Sequence, residues 1–207
     1  KLMDIEEAVS ILDQDDRFRV LQQVNISDRH RFNEDDGEEP IGRLAVIDTE
    51  TTGFSPNLGD RIIDLAIAIC SYGQETGRLF EIVSRYDGLE DPEMEIPEAV
   101  QQLTGITNVM VKGRHIDEGE VAQVMDGVGL IVCHNAAFDR RFLESRFPAF
   151  ADKNFSCSLN EIPWSSWGLE SKKLDYLGYR YGFFHQGHRA RADVDMLLTL
   201  LNEKKPK

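Results

Sequence analysis

The residues with the clearest chemical potential end an apolar run, in Leu44-Ala45-Val46-Ile47-Asp48-Thr49-Glu50-Thr51-Thr52-Gly53. The β-branched start predicts a buried strand. Residues two apart on a strand share a face, so Asp48 and Glu50 project side by side. Two carboxylates held that close repel unless one takes up a proton or both bind a cation. Hard oxygen donors of this kind suit Mg²⁺ or Mn²⁺. Taken alone, such a pair more often belongs to a strand that leaves the core carrying two solvated acids.

Other acids bear on that choice. Asp139 stands in His134-Asn135-Ala136-Ala137-Phe138-Asp139, directly after the apolar run 129–134. Ligands of open α/β sheets gather beyond the carboxyl ends of strands, which makes this junction a site position. An acid in the first turn of a helix is also favoured simply by the helix dipole. Asp193, Leu197, Leu200 and Leu201 recur at helical spacing, so Asp193 lies at the edge of a strip facing the core. A buried carboxylate needs a partner: either an arginine, Arg189 or Arg191, or a metal shared with Asp48. His188 approaches this helix from a stretch containing Gly182 and Gly187. With an ordinary pKa of about 6.5 a histidine accepts a proton near neutrality, although most lone histidines are surface residues.

A scaffold must bring these positions together. Strands are expected over 44–51, 62–70 and 79–86, the latter two joined through Tyr72-Gly73 in an antiparallel arrangement. A short helix opens at Pro97-Glu98 and ends near Gly105, and another covers about 117–125. A buried strand over 129–134 feeds a helix over 136–146, and an edge strand is expected at 155–158. Helices over 172–181 and 189–204 close the chain. Antiparallel strands followed by alternating strands and helices predict an α/β layer fold, with a mixed sheet flanked by helices on both faces. Before it, Ile5, Ala8, Val9 and Leu12, then Phe18, Leu21 and Val24, predict an acidic amphipathic helix or helix pair over 4–24. That helix either docks on the domain or binds a protein partner. Residues 33–40 (NEDDGEEP) read as a linker. Residues 1–40 are therefore expected to be a partly helical extension and 41–207 the main domain.

Composition narrows the partners. The 207 residues include 23 Lys and Arg against 37 Asp and Glu, a net charge of −14. Half of that excess lies in residues 1–40, with 12 acids against 5 bases. Strong nonspecific DNA binding is excluded by this sign, whereas local phosphate binding through metals and a few basic residues is not. No run approaches the ~20 apolar residues of a membrane span, and the acidic start 1–9 lacks the apolar core of an export signal. Cys70, Cys133 and Cys157 form no Cys-x-x-Cys pair and read as buried thiols of a reducing compartment, so a cytoplasmic location is expected. Trp164 and Trp167 either pack the edge strand or stack on bases.

Together these segments resemble the DEDDh, or DnaQ-like, 3′–5′ exonucleases, the family of the proofreading epsilon subunit of DNA polymerase III. The Asp-x-Glu-Thr-Thr-Gly motif matches Asp48 to Gly53, the Asn and Phe-Asp motif matches Asn135 and Phe138-Asp139, and His-x-Ala-x-x-Asp matches His188, Ala190 and Asp193. The His-to-Asp gap of five separates the chain from the sister group with a Tyr four residues before the Asp, where Arg189 stands. Likeness extends over about 43–201 and includes Ile62-Ile63-Asp64-Leu65-Ala66, Leu103-Thr104-Gly105-Ile106-Thr107 and Leu174-Asp175-Tyr176-Leu177.

The resemblance implies a ribonuclease H-like fold, with a five-stranded mixed sheet whose first three strands are antiparallel. It implies hydrolysis of phosphodiesters from the 3′ end, releasing nucleoside 5′-monophosphates with two Mg²⁺ or Mn²⁺ ions per site. Asp48 would bridge both metals, Glu50 and Asp193 would hold one, Asp139 would act on the other, and His188 would be the base. Thr51, Thr52, Gly53 and Phe54 would cradle the 3′-terminal nucleotide, and His134, Asn135 and Phe138 would line the path of the next. Arg140, Arg141, Arg189 and Arg191 either track the nucleic-acid backbone or are solvated surface charges. The expected substrate is single-stranded DNA or frayed 3′ ends, in proofreading or repair, with an RNA-trimming enzyme and an inactive nucleic-acid-binding or scaffold module as alternatives.

Overall fold

A computed structural model of the chain describes residues 4–203. The first three residues of the acidic start and the expected helix end at 204 lie outside the described residues. A helix α1 (Ile5–Asp13) and a two-residue strand β1 (Gln22–Gln23) precede the long strands β2 (Ile41–Thr51), β3 (Ile62–Gly73) and β4 (Leu79–Leu89). Helices α2 (Glu98–Thr104), α3 (Asn108–Val111) and α4 (Glu118–Val124) lead to β5 (Leu130–Cys133) and α5 (Ala136–Arg146). The chain finishes with β6 (Phe155–Cys157), α6 (Ser158–Glu161), α7 (Leu174–Tyr181), β7 (Phe183–Phe184) and α8 (Ala190–Asn202).

The central sheet has the order β4-β3-β2-β5-β6. The first three strands are antiparallel, and β5 and β6 add in parallel beside β2. Its two faces follow from alternation along each strand. Ala45, Ile47, Leu65, Ile67 and Ile131 pack with Val121, Phe142 and Leu143 of α4 and α5. Leu44, Val46, Ala66, Ala68 and Val132 pack with Val194, Leu197 and Leu198 of α8. Thus the five-stranded mixed sheet with helices on both faces is the fold expected. No helix among the described residues is long and apolar enough to cross a membrane. Cys70 and Cys133 are buried as expected, and Cys157 is half-buried.

The N-terminal segment differs from expectation. Helix α1 ends at Asp13, and turns over 14–17 follow it, with Phe18 exposed. Strand β1 pairs in parallel with β7, and the N–H groups of Gln22 and Val24 donate to the carbonyls of Gly182 and Phe184. Alternate residues Val24 and Ile26 pack into the α8-side core, so a period of two replaces the helical period there. Further along, the His30 carbonyl accepts the Ile82 N–H and the Phe80 carbonyl accepts the Phe32 N–H, fastening residues 30–32 along β4. Tertiary pairing outweighs a weak helical pattern in this strap.

Charges bind the strap to α8. Arg191 meets Asp28 and Asp87, each at 2.6 Å. Beneath it Arg85, only 5% exposed, meets Asp195 at 2.7 Å, while its Nε and Nη1 have no hydrogen-bond partner. Removing one member of a buried pair leaves the other charge uncompensated. Asp195→Ala is therefore expected to lower stability by roughly 3–5 kcal/mol in a urea titration, and a loss below about 1 kcal/mol would contradict a buried, dependent Arg85.

Candidate active site

Strand β2 leaves the core at Asp48, and alternation assigns each acid to a helix. Asp48 and Glu50 continue the Leu44–Val46 face toward α8, whose first turn carries Asp193. One carboxylate oxygen from each of Asp48, Glu50 and Asp193 lies within 4.8 Å of the others. Thr49 continues the opposite face toward α5. Its backbone N–H and hydroxyl donate to Asp139 Oδ1 at 3.1 and 2.8 Å, in the first turn of α5. Asp139 is only 2% exposed and stands beside the trio rather than within it. A bulge shifts the register between Glu50 and Thr51, so β3 carries an extra residue where the acids emerge.

The electrostatics are those of uncompensated acids. Burial, followed by the charges of Asp139, Asp193, Glu50 and Asp64, pushes Asp48 well above the usual carboxylate range. Glu50 is raised to about 8, chiefly by burial and then by Asp193, Asp64 and Asp139. Burial raises Asp139 too, against the lowering effect of the Thr49 hydrogen bonds. Neither arginine of α8's start neutralises Asp193. Arg189 gives it only a backbone N–H, at 3.2 Å, and sends its guanidinium to Asp64 at 3.0 Å. Arg191 turns to Asp28 and Asp87 instead. A clustered set of carboxylate oxygens without a paired arginine or lysine among the described residues fits a hard divalent cation.

A pH dependence follows from these shifts. In the folded, metal-free protein Glu50 keeps its proton up to about pH 8, whereas in the unfolded chain it loses it near its ordinary value of 4.5. The fold then binds the proton more tightly, so stability is fully present below the unfolded value and is lost as pH rises toward 8. The chelated protein should melt at a higher temperature at pH 6 than at pH 8, and millimolar Mg²⁺ or Mn²⁺ should raise the pH 8 value by mass action. A metal-free melting temperature that does not fall between pH 6 and 8 would contradict the repulsive cluster.

The structure disperses the other expected residues around the trio. The Thr51 hydroxyl donates to the Gly53 carbonyl, and Thr52 Oγ1 accepts the Arg61 N–H, closing the loop after β2. Gly53 stands against the Asp60 carboxylate, which accepts the Ser55 N–H, and Phe54 is 83% exposed. Asn135 adopts a left-handed backbone, φ 86°, at the β5–α5 junction, and half-buried Phe138 packs on Phe142. His134 has both ring nitrogens engaged: Nε2 donates to the Lys172 carbonyl at 2.8 Å and Nδ1 accepts from Ser158 Oγ at 2.9 Å. It braces the end of β5 and offers no free nitrogen to a phosphate. His188 is exposed, with φ 63°. Trp164 is buried against Leu177 and Met196, its N–H donating to the Ser158 carbonyl, so it packs and does not stack on bases.

Sequence reasoning missed three contributors. Asp64 lies opposite Glu50 in the sheet and pairs with Arg189. An acid inside the apolar run Ile62 to Ala66 was its signal. Thr49 is the unnamed residue between the two acids, and its role follows from alternation alone. His185 meets Asp193 at 2.8 Å, and nothing in its local sequence, outside the His188 to Asp193 motif, marks it as a partner of that acid. A cleft of about 460 Å³ is lined by Asp60 and Arg61 of the loop after β2 together with Glu90, Arg114 and Arg146. None of the clustered acids lines it, and Glu90 there is already paired with Arg146 at 2.8 Å. The candidate site is therefore the cluster of acids and not this cleft.

Proteins of similar sequence and fold are exonucleases and DNA polymerase subunits. A family model described as exonuclease, RNase_T, matches residues 45–201. The chain is 35% identical over 164 residues to the 3′–5′ exonuclease DinG of Bacillus subtilis, covering 74% of this chain and 16% of that protein. It is 30% identical over 162 residues to DNA polymerase III subunit epsilon of Aquifex aeolicus, covering 75% of this chain and 76% of that one. The chain thus spans about a sixth of DinG but three quarters of the epsilon subunit. Among solved structures, exonuclease X in complex with 5′ overhanging duplex DNA superposes with a TM-score of 0.56 and 24% identity, over 77% of this chain and 89% of that one. Escherichia coli exonuclease I in complex with a dT13 oligonucleotide gives 0.61 and 18%, over 79% and 41%. Both share the ribonuclease H-like fold with this chain.

Proposed function

The chain belongs to the RNase_T exonuclease family, and on that premise we propose that it is a metal-dependent 3′–5′ exonuclease releasing nucleoside 5′-monophosphates from single-stranded or frayed DNA. The observation that carries this reading is the trio Asp48, Glu50 and Asp193, with oxygens within 4.8 Å of one another and no paired arginine or lysine among the described residues. These three would hold Mg²⁺ or Mn²⁺, with buried Asp139 acting beside them, two ions to a site by family likeness. When bound, such ions polarise a phosphate and lower the pKa of a bound water. By family likeness His188, exposed and five residues before Asp193, takes the proton of the attacking water. The backbone of Thr51 to Gly53 and the exposed Phe54 ring hold the terminal nucleotide, and Asn135 and Phe138 flank its neighbour. Contacts by stacking and to phosphate are indifferent to base identity, as trimming requires.

DNA as substrate is supported by the solved neighbours, which are complexes with duplex DNA and with a dT13 oligonucleotide, and by relatives named as DNA polymerase subunits. A cytoplasmic role in repair or proofreading accords with those relatives, and α1, with Ile5 and Ile11 exposed, is the segment through which a protein partner would act. The test compares 5′-labelled single-stranded DNA and RNA of one sequence, with Mg²⁺ or Mn²⁺, beside Asp193→Ala. A ladder on DNA that disappears in the variant is the expected result. The same ladder mainly on RNA would replace the substrate assignment, and no ladder on either with metal bound would leave a binding module.

A further inference from the structure

His185 lies eight residues before Asp193, and its side chain is only 3% exposed. Its Nε2 stands 2.8 Å from Asp193 Oδ1. An ionised carboxylate only accepts, so this contact fixes a ring proton on Nε2, which donates. The other oxygen, Oδ2, accepts the backbone N–H of Arg189 at 3.2 Å. Asp193 is thus held at both oxygens by the segment that leads into α8, and each oxygen keeps a lone pair for a cation. Asp175 Oδ1 is 3.7 Å from His185 Nε2, too far to compete for the proton.

We propose that His185 is a positioning residue of the metal centre, orienting the Asp193 carboxylate toward the cation it shares with Asp48 and Glu50, an inference that rests on the exonuclease reading above. The Nε2 that donates to Asp193 is not free to accept a proton, and the exposed His188 keeps the role of base proposed above. Partners that hydrogen-bond a metal ligand are worth about 10–100-fold in metal affinity.

The test contrasts His185→Met, which fills the space without a donor, with His185→Gln, whose amide N–H replaces the ring N–H. Mn²⁺ is titrated into the metal-stripped full chain without nucleic acid, and free Mn²⁺ is read by electron paramagnetic resonance. His185→Met should weaken binding by about 10–100-fold, with His185→Gln close to the unsubstituted protein. Equal affinity in all three proteins overturns the proposal. Equal loss in both variants overturns it as well, because the ring's shape and not its hydrogen bond would then matter. An unsubstituted chain that binds no Mn²⁺, when Asp48→Asn makes no difference either, removes the exonuclease reading and this proposal together.

Discussion

Asp48→Asn is expected to lower kcat by about 10³-fold or more while raising the melting temperature of the metal-free protein. The first effect follows from chemistry. A carboxylate that helps hold the catalytic cations supports several kcal/mol of charge stabilisation at the phosphate, and about 1.4 kcal/mol is tenfold in rate. The second follows from position. Asp48 is pushed well above the usual carboxylate range by burial and by four acidic neighbours, so its ionised form is a burden on the empty site. Asparagine keeps the shape and removes the charge. A variant both inactive and less stable without metal would mean that Asp48 serves the fold, and a variant still active would remove it from the centre. Activity by quenched-flow or gel assay and melting with chelator at pH 8 provide both halves.

His188→Gln should lower kcat by about 10²–10⁴-fold, the usual worth of a positioned general base, without altering Mn²⁺ affinity or melting temperature. His188 is exposed and has a left-handed backbone, φ 63°, a conformation that costs a non-glycine residue of order 1 kcal/mol and tends to persist where function requires it. Asn135, with φ 86°, holds the same conformation at the junction that delivers Asp139. Loss of Mn²⁺ binding in His188→Gln would move His188 from proton transfer to metal positioning. Unchanged kcat would leave the attacking water without a protein base.

Much of the site was legible because it depends on short-range periodicity. The i, i+2 spacing of Asp48 and Glu50 and the i, i+4 spacing of Asp193 and Leu197 predicted shared faces, and the structure brings Asp48, Glu50 and Asp193 together. Strand and helix boundaries with clear apolar patterns followed, α5 (Ala136–Arg146) to the residue. Illegible features depend on contacts between distant segments. Arg189 pairs with Asp64, 125 positions earlier, and nothing near Arg189 in sequence distinguishes Asp64 from Asp193 as its partner. The strap over 22–33 was read as helix up to 24 because Phe18, Leu21 and Val24 repeat at helical spacing, while its true order comes from pairing with β7 and β4. The short helices α3 and α6, of four residues each, are too brief to carry any periodic signal.

The central claim is that the trio of acids removes nucleotides from a 3′ end. Single-stranded DNA bearing a label in its last nucleotide, incubated with the full chain and Mg²⁺, tests this most directly. The predicted first product is that nucleotide as a 5′-monophosphate, absent with chelator and absent in Asp48→Asn. Release of a 3′-monophosphate, attack from the 5′ end, or the same product from Asp48→Asn would contradict it.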